Sequence, residues 1–218
     1  MHTKLFFAVI ASAAMSFGAA QAATFVFSGP NANLGKDEVF TSGPDSVLAT
    51  AINTQEPRPP TLRRNGFGIG VKTGFFDAGQ VDNSGDDEAI VFDFGSLVQM
   101  DEIVLTQASF FDDIRIYGTN DATIAAITSG GLSAITSIST LLASASGVGF
   151  GGTVTIDLSG IATAYRFLIA TIPGGSGDGF RVKEITVSEV PLPAALPLMA
   201  FGLASLGFVG RRRRKLAA

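Results

Sequence analysis

The stretch Ala89-Ile90-Val91-Phe92-Asp93-Phe94 decides the fold class of this chain of 218 residues. In an extended strand, successive side chains point to opposite faces of the sheet, so Ile90, Phe92 and Phe94 share one face. A period of two between polar and turn residues is typical of a strand that is buried on one side. This stretch therefore predicts a half-buried strand of an antiparallel sheet.

Similar stretches recur along the chain on both sides of this one. Further strands are predicted at residues 24–27, 102–106, 113–117, 153–158, 165–170 and 180–187. In the last of them, Phe180 and Val182 are at even positions whereas Ile185 and Val187 are at odd positions, so a regular strand would place the two pairs on opposite faces. We call this a change of hydrophobic parity. A β-bulge near Lys183-Glu184 would bring all four side chains to the same face.

Two segments between these strands have a different composition. Residues 46–52 predict a short helix. Residues 120–152 are rich in Ala, Ser, Thr, Gly and Ile, and they predict a partly helical or irregular excursion with a strand near 141–144. Several short strands joined by polar turns predict an all-β fold, an antiparallel β-sandwich.

The order of the strands resembles the discoidin-like, galactose-binding-like jelly roll. The stretches that carry this resemblance are residues 90–95, 103–105, 114–121, 165–169 and 180–187. The resemblance implies a jelly-roll sandwich whose loops at one end bind sugars, lipids or calcium. Trp and a disulfide that joins the termini, both usual in that fold, are absent here, so the resemblance does not carry over the ligand type.

Before the first strand, the chain begins with an export signal. Lys4 precedes an apolar stretch at residues 5–14, and Ala20-Gln21-Ala22 follows. A charged segment, an apolar segment and an A-x-A site constitute a secretory signal peptide. Residues 1–22 are therefore predicted to be removed after export through the Sec translocon. Cleavage after Ala22 leaves Ala23 as the first mature residue.

After the last strand, the chain ends in three successive parts. Val190-Pro191-Leu192-Pro193 is followed by 17 residues, 194–210, with only Ser205 polar, and then by Arg211-Arg212-Arg213-Arg214-Lys215. A helix over the apolar run spans roughly 25 Å, just short of a bilayer's hydrocarbon core. Adjacent cations resist translocation, so we expect the C-terminus to stay cytoplasmic and the domain to lie outside.

Residues 190–218 resemble the PEP-CTERM sorting signal of Gram-negative bacteria. The Pro motif, the apolar helix and the basic cluster occur in the family's order, although Leu192 stands where the name-giving motif has Glu. The resemblance implies that exosortase, a membrane protease-transpeptidase, cleaves near the Pro motif at the inner membrane. It also implies a mature form at the cell surface or in the extracellular matrix. The alternative is an ordinary C-terminal membrane anchor with the same topology.

Between these two ends, residues 23–189 form one predicted domain with an acidic balance. Nine of the 15 Lys and Arg and all 19 Asp and Glu lie there, so its formal net charge is −10. Binding to nucleic acid needs a basic footprint, so a nucleic-acid partner is not expected. The domain has no Cys and no His, because the only His is His2. A thiol nucleophile, a Ser-His-Asp site and nearly every zinc site are thereby excluded.

One acidic segment, residues 82–88, is a candidate metal site. Carboxylate and amide oxygens around a turn-forming glycine are the ligands that Ca²⁺ prefers. The candidate ligands are Asp82, Asn83, Asp86, Asp87 and Glu88, with Glu184 from the predicted bulge. The spacing is not that of an EF-hand. The alternative is a solvated turn that precedes the strand at Ala89 and binds no metal. Ca²⁺ is therefore the one candidate cofactor.

Three functions remain open. The first is a non-enzymatic surface or matrix protein, sorted by exosortase and associated with extracellular polysaccharide. The second is a Ca²⁺-dependent carbohydrate-binding module, for which the candidate aromatic residues are Phe75, Phe76, Phe110, Phe111 and Tyr117. The third, less favoured, is a glycan hydrolase, which needs two carboxylates about 5–10 Å apart in a cleft.

Overall fold

The computed structural model of the chain describes residues 21–53, 59–74, 77–82, 88–109, 112–126, 131–146, 151–173 and 179–190. The first strands are β1 Ala22–Val26, β2 Ala32–Gly35, β3 Asp37–Ser42, β4 Asp45–Asn53, β5 Thr61–Asn65 and β6 Gly68–Lys72. The later strands are β7 Glu88–Ala108, β8 Asp113–Thr119, β9 Thr140–Ser146, β10 Gly152–Asp157, β11 Tyr165–Thr171 and β12 Arg181–Glu189. A short 3₁₀ helix, Ala122–Ala126, and helix α1, Gly131–Ser137, lie between β8 and β9. All strand pairs are antiparallel, so the all-β prediction is confirmed.

The strand β7 belongs to both layers of the sandwich. Its first part, up to Asp93, pairs with β4 and β11, and its second part, from Val98, pairs mainly with β12 and β10. The change occurs at Gly95, which has a φ of +73°. The Gly95 N–H donates to Oδ1 of Asp93 at 2.8 Å. A side-chain cap and a residue without Cβ let the chain turn here, so the two strands predicted at 89–94 and 102–106 are one continuous strand.

The two layers follow from these pairings. The first layer contains β3, β4, the first part of β7, β11, β8 and β9, in that order. The second layer begins with β10, the second part of β7 and β12. Strands β1 and β6 then lie along the other edge of β12, and β5 and β2 continue outward from β6. Strands from both layers thus enclose one core.

Aromatic side chains join the two layers inside the core. The Phe27 ring, fully buried just after β1, lies 4.8 Å from the Phe40 ring of β3 and 5.1 Å from the Phe92 ring of β7. Phe25 and Phe94 make a similar contact at 5.9 Å. Tilted and edge-to-face ring pairs stabilise a core beyond the area that they bury. The inward face predicted for Ile90, Phe92 and Phe94 is confirmed, since all three belong to this core.

A second, smaller apolar cluster lies on the outer face of the first layer. Val91, Phe167 and Ile169 of the sheet pack there with Ile124 of the 3₁₀ helix and Ile135 of α1. The excursion predicted over residues 120–152 is confirmed where it is described, with two short helices followed by β9. The excursion therefore covers apolar sheet surface that would otherwise face water.

The predicted bulge in the last strand is confirmed. The register between β12 and β7 shifts between Val182 and Glu184. As a result, Phe180, Val182, Ile185 and Val187 are all buried despite their unequal parity. The change of hydrophobic parity in the sequence was therefore sufficient to locate the irregularity.

The short helix predicted at residues 46–52 is wrong, because this segment is the strand β4. Val47, Ala49 and Ala51 are fully buried at alternate positions, and β4 pairs with β3 on one side and β7 on the other. Two ladders of hydrogen bonds and continuous burial from Ala49 to Asn53 override a weak local preference for helix.

The predicted membrane span at residues 194–210 lies outside the described residues. The same is true of residues 1–20 of the signal peptide and of the basic cluster 211–215. Across the described ranges, we find no helix with the length and apolarity that a membrane span requires.

Candidate functional site

The strand pairing gives the sandwich two distinct ends. In β1 and β12, Ala22 lies opposite Ser188, so the two ends of the domain are neighbours. Glu189 lies opposite Val98, just after the Gly95 turn, at the same end. We call this the terminal end, and we call the opposite end, where Glu88 and Arg181 lie, the loop end. The loops that follow β4, β6, β9 and β11 all leave from the loop end.

Two of the predicted calcium ligands, Asp82 and Glu88, meet at the loop end. The Glu88 N–H donates to the Asp82 carbonyl at 3.3 Å, and the Asp82 N–H donates to Oε2 of Glu88 at 3.2 Å. The Thr171 hydroxyl of β11 donates to the Glu88 carbonyl at 2.7 Å. These reciprocal bonds join the two residues that flank residues 83–87 and anchor them to the sheet.

The carboxyl group of Glu88 is in an unusual environment for an acid. Its residue is only 2 % exposed, and Asp82 and Asp77 are its charged neighbours. Burial, followed by repulsion from these two carboxylates, raises the pKa of Glu88 to about 9. Without a cation, Glu88 is therefore protonated at neutral pH, because a buried site disfavours the charged form. A nearby divalent cation would reverse that balance.

Asp77 organises the loop between β6 and β7. Its Oδ2 accepts the Thr73 N–H at 2.6 Å, and its Oδ1 accepts the Gly79 N–H at 2.5 Å. Gly79 has a φ of +71°, and a side chain there would collide with Arg63. A carboxylate that accepts two backbone N–H groups fixes the local turn, so Asp77 has a structural role besides its charge.

A buried arginine, Arg181, connects three segments at the loop end. Its Nε donates to Oε1 of Gln107 at 2.7 Å, its Nη1 to the Arg63 carbonyl at 3.1 Å and its Nη2 to the Ala78 carbonyl at 2.7 Å. It is 3 % exposed, and burial followed by repulsion from Arg63 lowers the pKa of Arg181 to about 10. Gln107 has a φ of 58°, which is uncommon for a residue other than glycine. Arg181 stays charged and fixes the positions of these segments.

Sequence reasoning missed Arg181. It stands between Phe180 and Val182, so strict alternation assigns it to the solvent face of β12. The available signal was the change of parity that predicted the bulge. A bulge redirects the side chains beside it, and Arg181 precedes the register shift.

The glycines in Gly68-Ile69-Gly70-Val71 serve close packing. A Cβ on Gly68 would collide with the Val182 carbonyl, and a Cβ on Gly70 with the Gly79 carbonyl. These residues form strand β6, and no helix follows them directly, as a dinucleotide-binding loop would require.

The other predicted calcium ligands do not join Asp82 and Glu88 within the described part of the chain. Glu184 lies opposite Val26 and Val104, four residues along β12 from Phe180, which bridges to Val81. Four residues of strand span roughly 13 Å. Asn83, Asp86 and Asp87 are outside the described residues. Among the residues that are described, no three His, Cys, Asp or Glu side chains form a group that could hold a metal ion.

Of the aromatic residues predicted to contact a glycan, only Tyr117 is described. It is 7 % exposed and belongs to the apolar cluster under α1, so its prediction as a ligand contact is wrong. Phe75, Phe76, Phe110 and Phe111 lie outside the described residues. The residues that flank the second pair are joined at the loop end, where the Ser109 N–H donates to Oδ2 of Asp112 at 2.6 Å.

A groove of about 240 Å³ lies between the two layers at the terminal end. Ala23, Phe25, Phe94 and Val187 contribute apolar side chains to it. The charged residues that line it are Asp45 at the start of β4 and Glu189 at the end of β12. Sequence reasoning did not predict this groove, because its parts are far apart in the chain.

The predicted processing sites flank this groove. Ala22 and Ala23 are part of β1, and Ala20 is outside the described residues. Val190, the first residue of the Pro motif, is 39 % exposed after the end of β12. Pro191, Leu192 and Pro193 and the basic residues Arg211, Arg212, Arg213, Arg214 and Lys215 are outside the described residues.

Comparison with known proteins gives limited similarity. No protein-family model and no curated protein matches the chain. One similar solved structure is the family 32 carbohydrate-binding module of C. perfringens NanJ in complex with galactose. It has 14 % identity and a TM-score of 0.35, and the match covers 65 % of this chain and 92 % of that one.

A second similar structure is a mutant of the carbohydrate-binding module CBM29-2, studied for ligand recognition. It has 11 % identity and a TM-score of 0.35, with 77 % of this chain and 92 % of that one covered. Similarity at this level does not assign a ligand or an activity to this chain.

Proposed function

We propose that this chain is an exported, non-enzymatic protein of the cell surface or extracellular matrix, sorted by exosortase through residues 190–218. The observation that carries the proposal is the pairing of Ala22 with Ser188. Both predicted address signals leave the domain from one end of the sandwich. A membrane-bound precursor therefore presents its terminal end to the membrane and its loop end to the outside.

The charge of the domain supports an extracellular role. The formal net charge of residues 23–189 is −10, whereas the five cations of the basic cluster lie beyond the domain. This separation suits a tail that is held on the cytoplasmic side while the acidic domain is exported. A strongly acidic domain also stays soluble outside the cell.

We propose that the loop end makes the contact with extracellular polysaccharide. It is the end farthest from the membrane in the precursor, and Arg181 and Asp77 hold its loops in place through hydrogen bonds to backbone groups. Rigid loop bases reduce the ordering cost of binding an extended polymer.

Localisation in the native host tests the sorting proposal. A chain that lacks residues 190–218 should appear in a soluble exported fraction instead of the surface or matrix fraction. A matched control replaces Arg211–Lys215 by five Lys, which keeps the charge and should keep the parent's location. An unchanged location after deletion of the tail would contradict the proposal.

The polysaccharide proposal needs a separate measurement. The purified mature protein should co-sediment with polysaccharide from the matrix of the same host, and excess soluble polysaccharide should compete. A protein that stays in the supernatant at all concentrations would contradict this part and leave the sorting proposal intact.

The alternative function is a Ca²⁺-dependent carbohydrate-binding module. The buried Glu88 carboxyl is the observation that favours it, since a divalent cation beside it would offset the repulsion that Asp82 and Asp77 exert on its charged form. The hydrolase remains the third candidate. Asp45 and Glu189 share a groove, but that groove is smaller than the roughly 300–1,000 Å³ of usual ligand pockets.

A further inference from the structure

The groove at the terminal end is built around Ala23. In the β1–β12 pair Ala23 lies opposite Val187, and Glu189 is two residues further along β12. Residues that are opposite each other, or two apart on one strand, point to the same face of a sheet. Ala23, Val187 and Glu189 therefore share the inner face at the mouth of the sandwich, where all three line the groove.

The charge in this groove has one sign. Its two charged residues, Asp45 and Glu189, are both acids, and they come from opposite layers of the sandwich. Ala23, which lines the same groove, is only 6 % exposed. A small cationic group placed at Ala23 would be partly shielded from water and would face two carboxylates.

We propose that this groove is the binding site for the chain's own mature amino terminus. The inference rests on the proposed export, because the cationic group arises only when the signal peptide is removed. Hydrolysis of the Ala22–Ala23 peptide bond by a signal peptidase consumes one water. It leaves a carboxylate on Ala22 and a protonated amine on Ala23. The new ammonium group is the positive charge that Asp45 and Glu189 accept.

The proposed contact between the Ala23 ammonium and the two carboxylates predicts a difference between the precursor and the mature protein. In the precursor, the Ala23 nitrogen is an uncharged amide and the chain continues past the groove through Gln21, which also lines it. In the mature protein, the ammonium and its two carboxylates stabilise the join between β1, β4 and β12. Removal of the signal peptide thus completes the terminal end of the domain.

The pKa of the Ala23 amine is the quantity to measure. An α-amino group ordinarily titrates at about 7.7–8.0, and two neighbouring carboxylates should raise its pKa by about one unit. Because the pKa is raised in the folded state, the stabilisation is complete below pH ~7.7. It is lost as the pH rises through the pKa of the folded state.

The test uses mature protein isolated from the exported fraction. Mass spectrometry first identifies the amino-terminal residue, and the rate of acylation of that amine is then measured from pH 6 to pH 11. The same titration is done on Asp45→Asn/Glu189→Gln. The control is Asp37→Asn/Glu102→Gln, which removes the same charge from two positions that do not line the groove. An N-terminally acetylated parent, compared by thermal melting at pH 6 and pH 11, covers the case of a double variant that is not exported.

The inference predicts a terminus at Ala23 and a pKa that is raised in the parent and control and ordinary in the double variant. Acetylation should lower the melting temperature at pH 6 and have no effect at pH 11. A raised pKa that survives the double variant, or an ordinary pKa in the parent, would overturn the groove inference and leave the export proposal standing. A terminus elsewhere would overturn both the groove inference and the predicted cleavage site.

Discussion

Ala22 lies directly opposite Ser188 in the antiparallel pair of β1 and β12. Two residues that are 166 positions apart in the sequence are thus neighbours at one end of the sandwich. The predicted signal cleavage site and the start of the predicted sorting tail therefore lie side by side. This arrangement separates the processed end of the domain from its loop end.

Replacing Glu88 by Gln should change how the stability depends on pH. Burial raises the pKa of Glu88 to about 9, so the folded state keeps a proton that the unfolded chain releases near its ordinary pKa. In calcium-free buffer, this group stabilises the parent fully below pH ~4.3, and the contribution is lost as the pH rises towards 9.

The slope of this loss is at most about 1.4 kcal/mol per pH unit. Glu88→Gln, which keeps an oxygen for the Asp82 N–H, should remove it. Urea unfolding at several pH values measures the difference, with Asp37→Asn as an exposed acidic control. Parallel pH profiles of parent and Glu88→Gln would contradict the protonated state of Glu88.

Calcium binding at the loop end is a separate prediction. A ligand that binds only the folded state stabilises it by about 2.7 kcal/mol when its free concentration is 100 times its dissociation constant. Thermal melts at pH 7 with millimolar Ca²⁺ and with chelator should differ in the parent and in Asp37→Asn. They should coincide in Asp82→Asn/Glu88→Gln. Equal melting temperatures in the parent would reject a stabilising calcium site at Asp82 and Glu88.

Arg181→Lys should destabilise the domain more than the same substitution at a surface arginine does. The lysine ammonium cannot reach Gln107, Arg63 and Ala78 from one planar group, so buried acceptors lose their donors. Each lost hydrogen bond to a charged group costs about 1.5–3 kcal/mol. The matched control is Arg115→Lys, in the half-exposed ion pair with Asp113, which should cost less than about 1 kcal/mol. Equal free energies of unfolding for the two variants would refute the role given to Arg181.

The turn between the layers predicts that replacing Gly95 by Ala costs more stability than replacing Gly160 by Ala. Gly95 has a φ of +73°, whereas the φ of Gly160 is outside the left-handed region, and neither would meet a neighbour if it gained a Cβ. Gly95→Ala should cost about 1–2 kcal/mol through backbone strain alone. Gly160→Ala should be neutral or slightly stabilising. A cost for Gly160→Ala as large as that for Gly95→Ala would argue against a strained turn at Gly95.

Hydrophobic parity in the sequence predicted β1 and the strands from β7 onward, but it missed β2, β3, β5 and β6. The strands around Phe92 and Tyr165 and the bulge before Ile185 follow from side chains that must reach the core. The helix at 46–52 failed, because the pairing of β4 with β3 and β7 cannot be read locally. The separate strands around Phe92 and Ile103 failed as well, since a glycine turn kept β7 continuous.

The candidate sites were less accessible to sequence reasoning. Asp82 and Glu88 were found because they are close in sequence. Arg181, Asp45 and Glu189 were missed, because their partners lie on distant strands and a polar residue in a strand is normally assigned to solvent. Tyr117 was misassigned, because the helical excursion that covers it gives no sign of its contact in the sequence.

The central claim is that this chain is exported and processed at both ends. Mass spectrometry of the intact protein from the surface or matrix fraction of the native host tests it most directly. Export and processing at both ends predict a single species that begins at Ala23 and lacks the basic residues 211–215. A surface protein that begins at Met1, or one that retains Arg211–Lys215, would refute this processing.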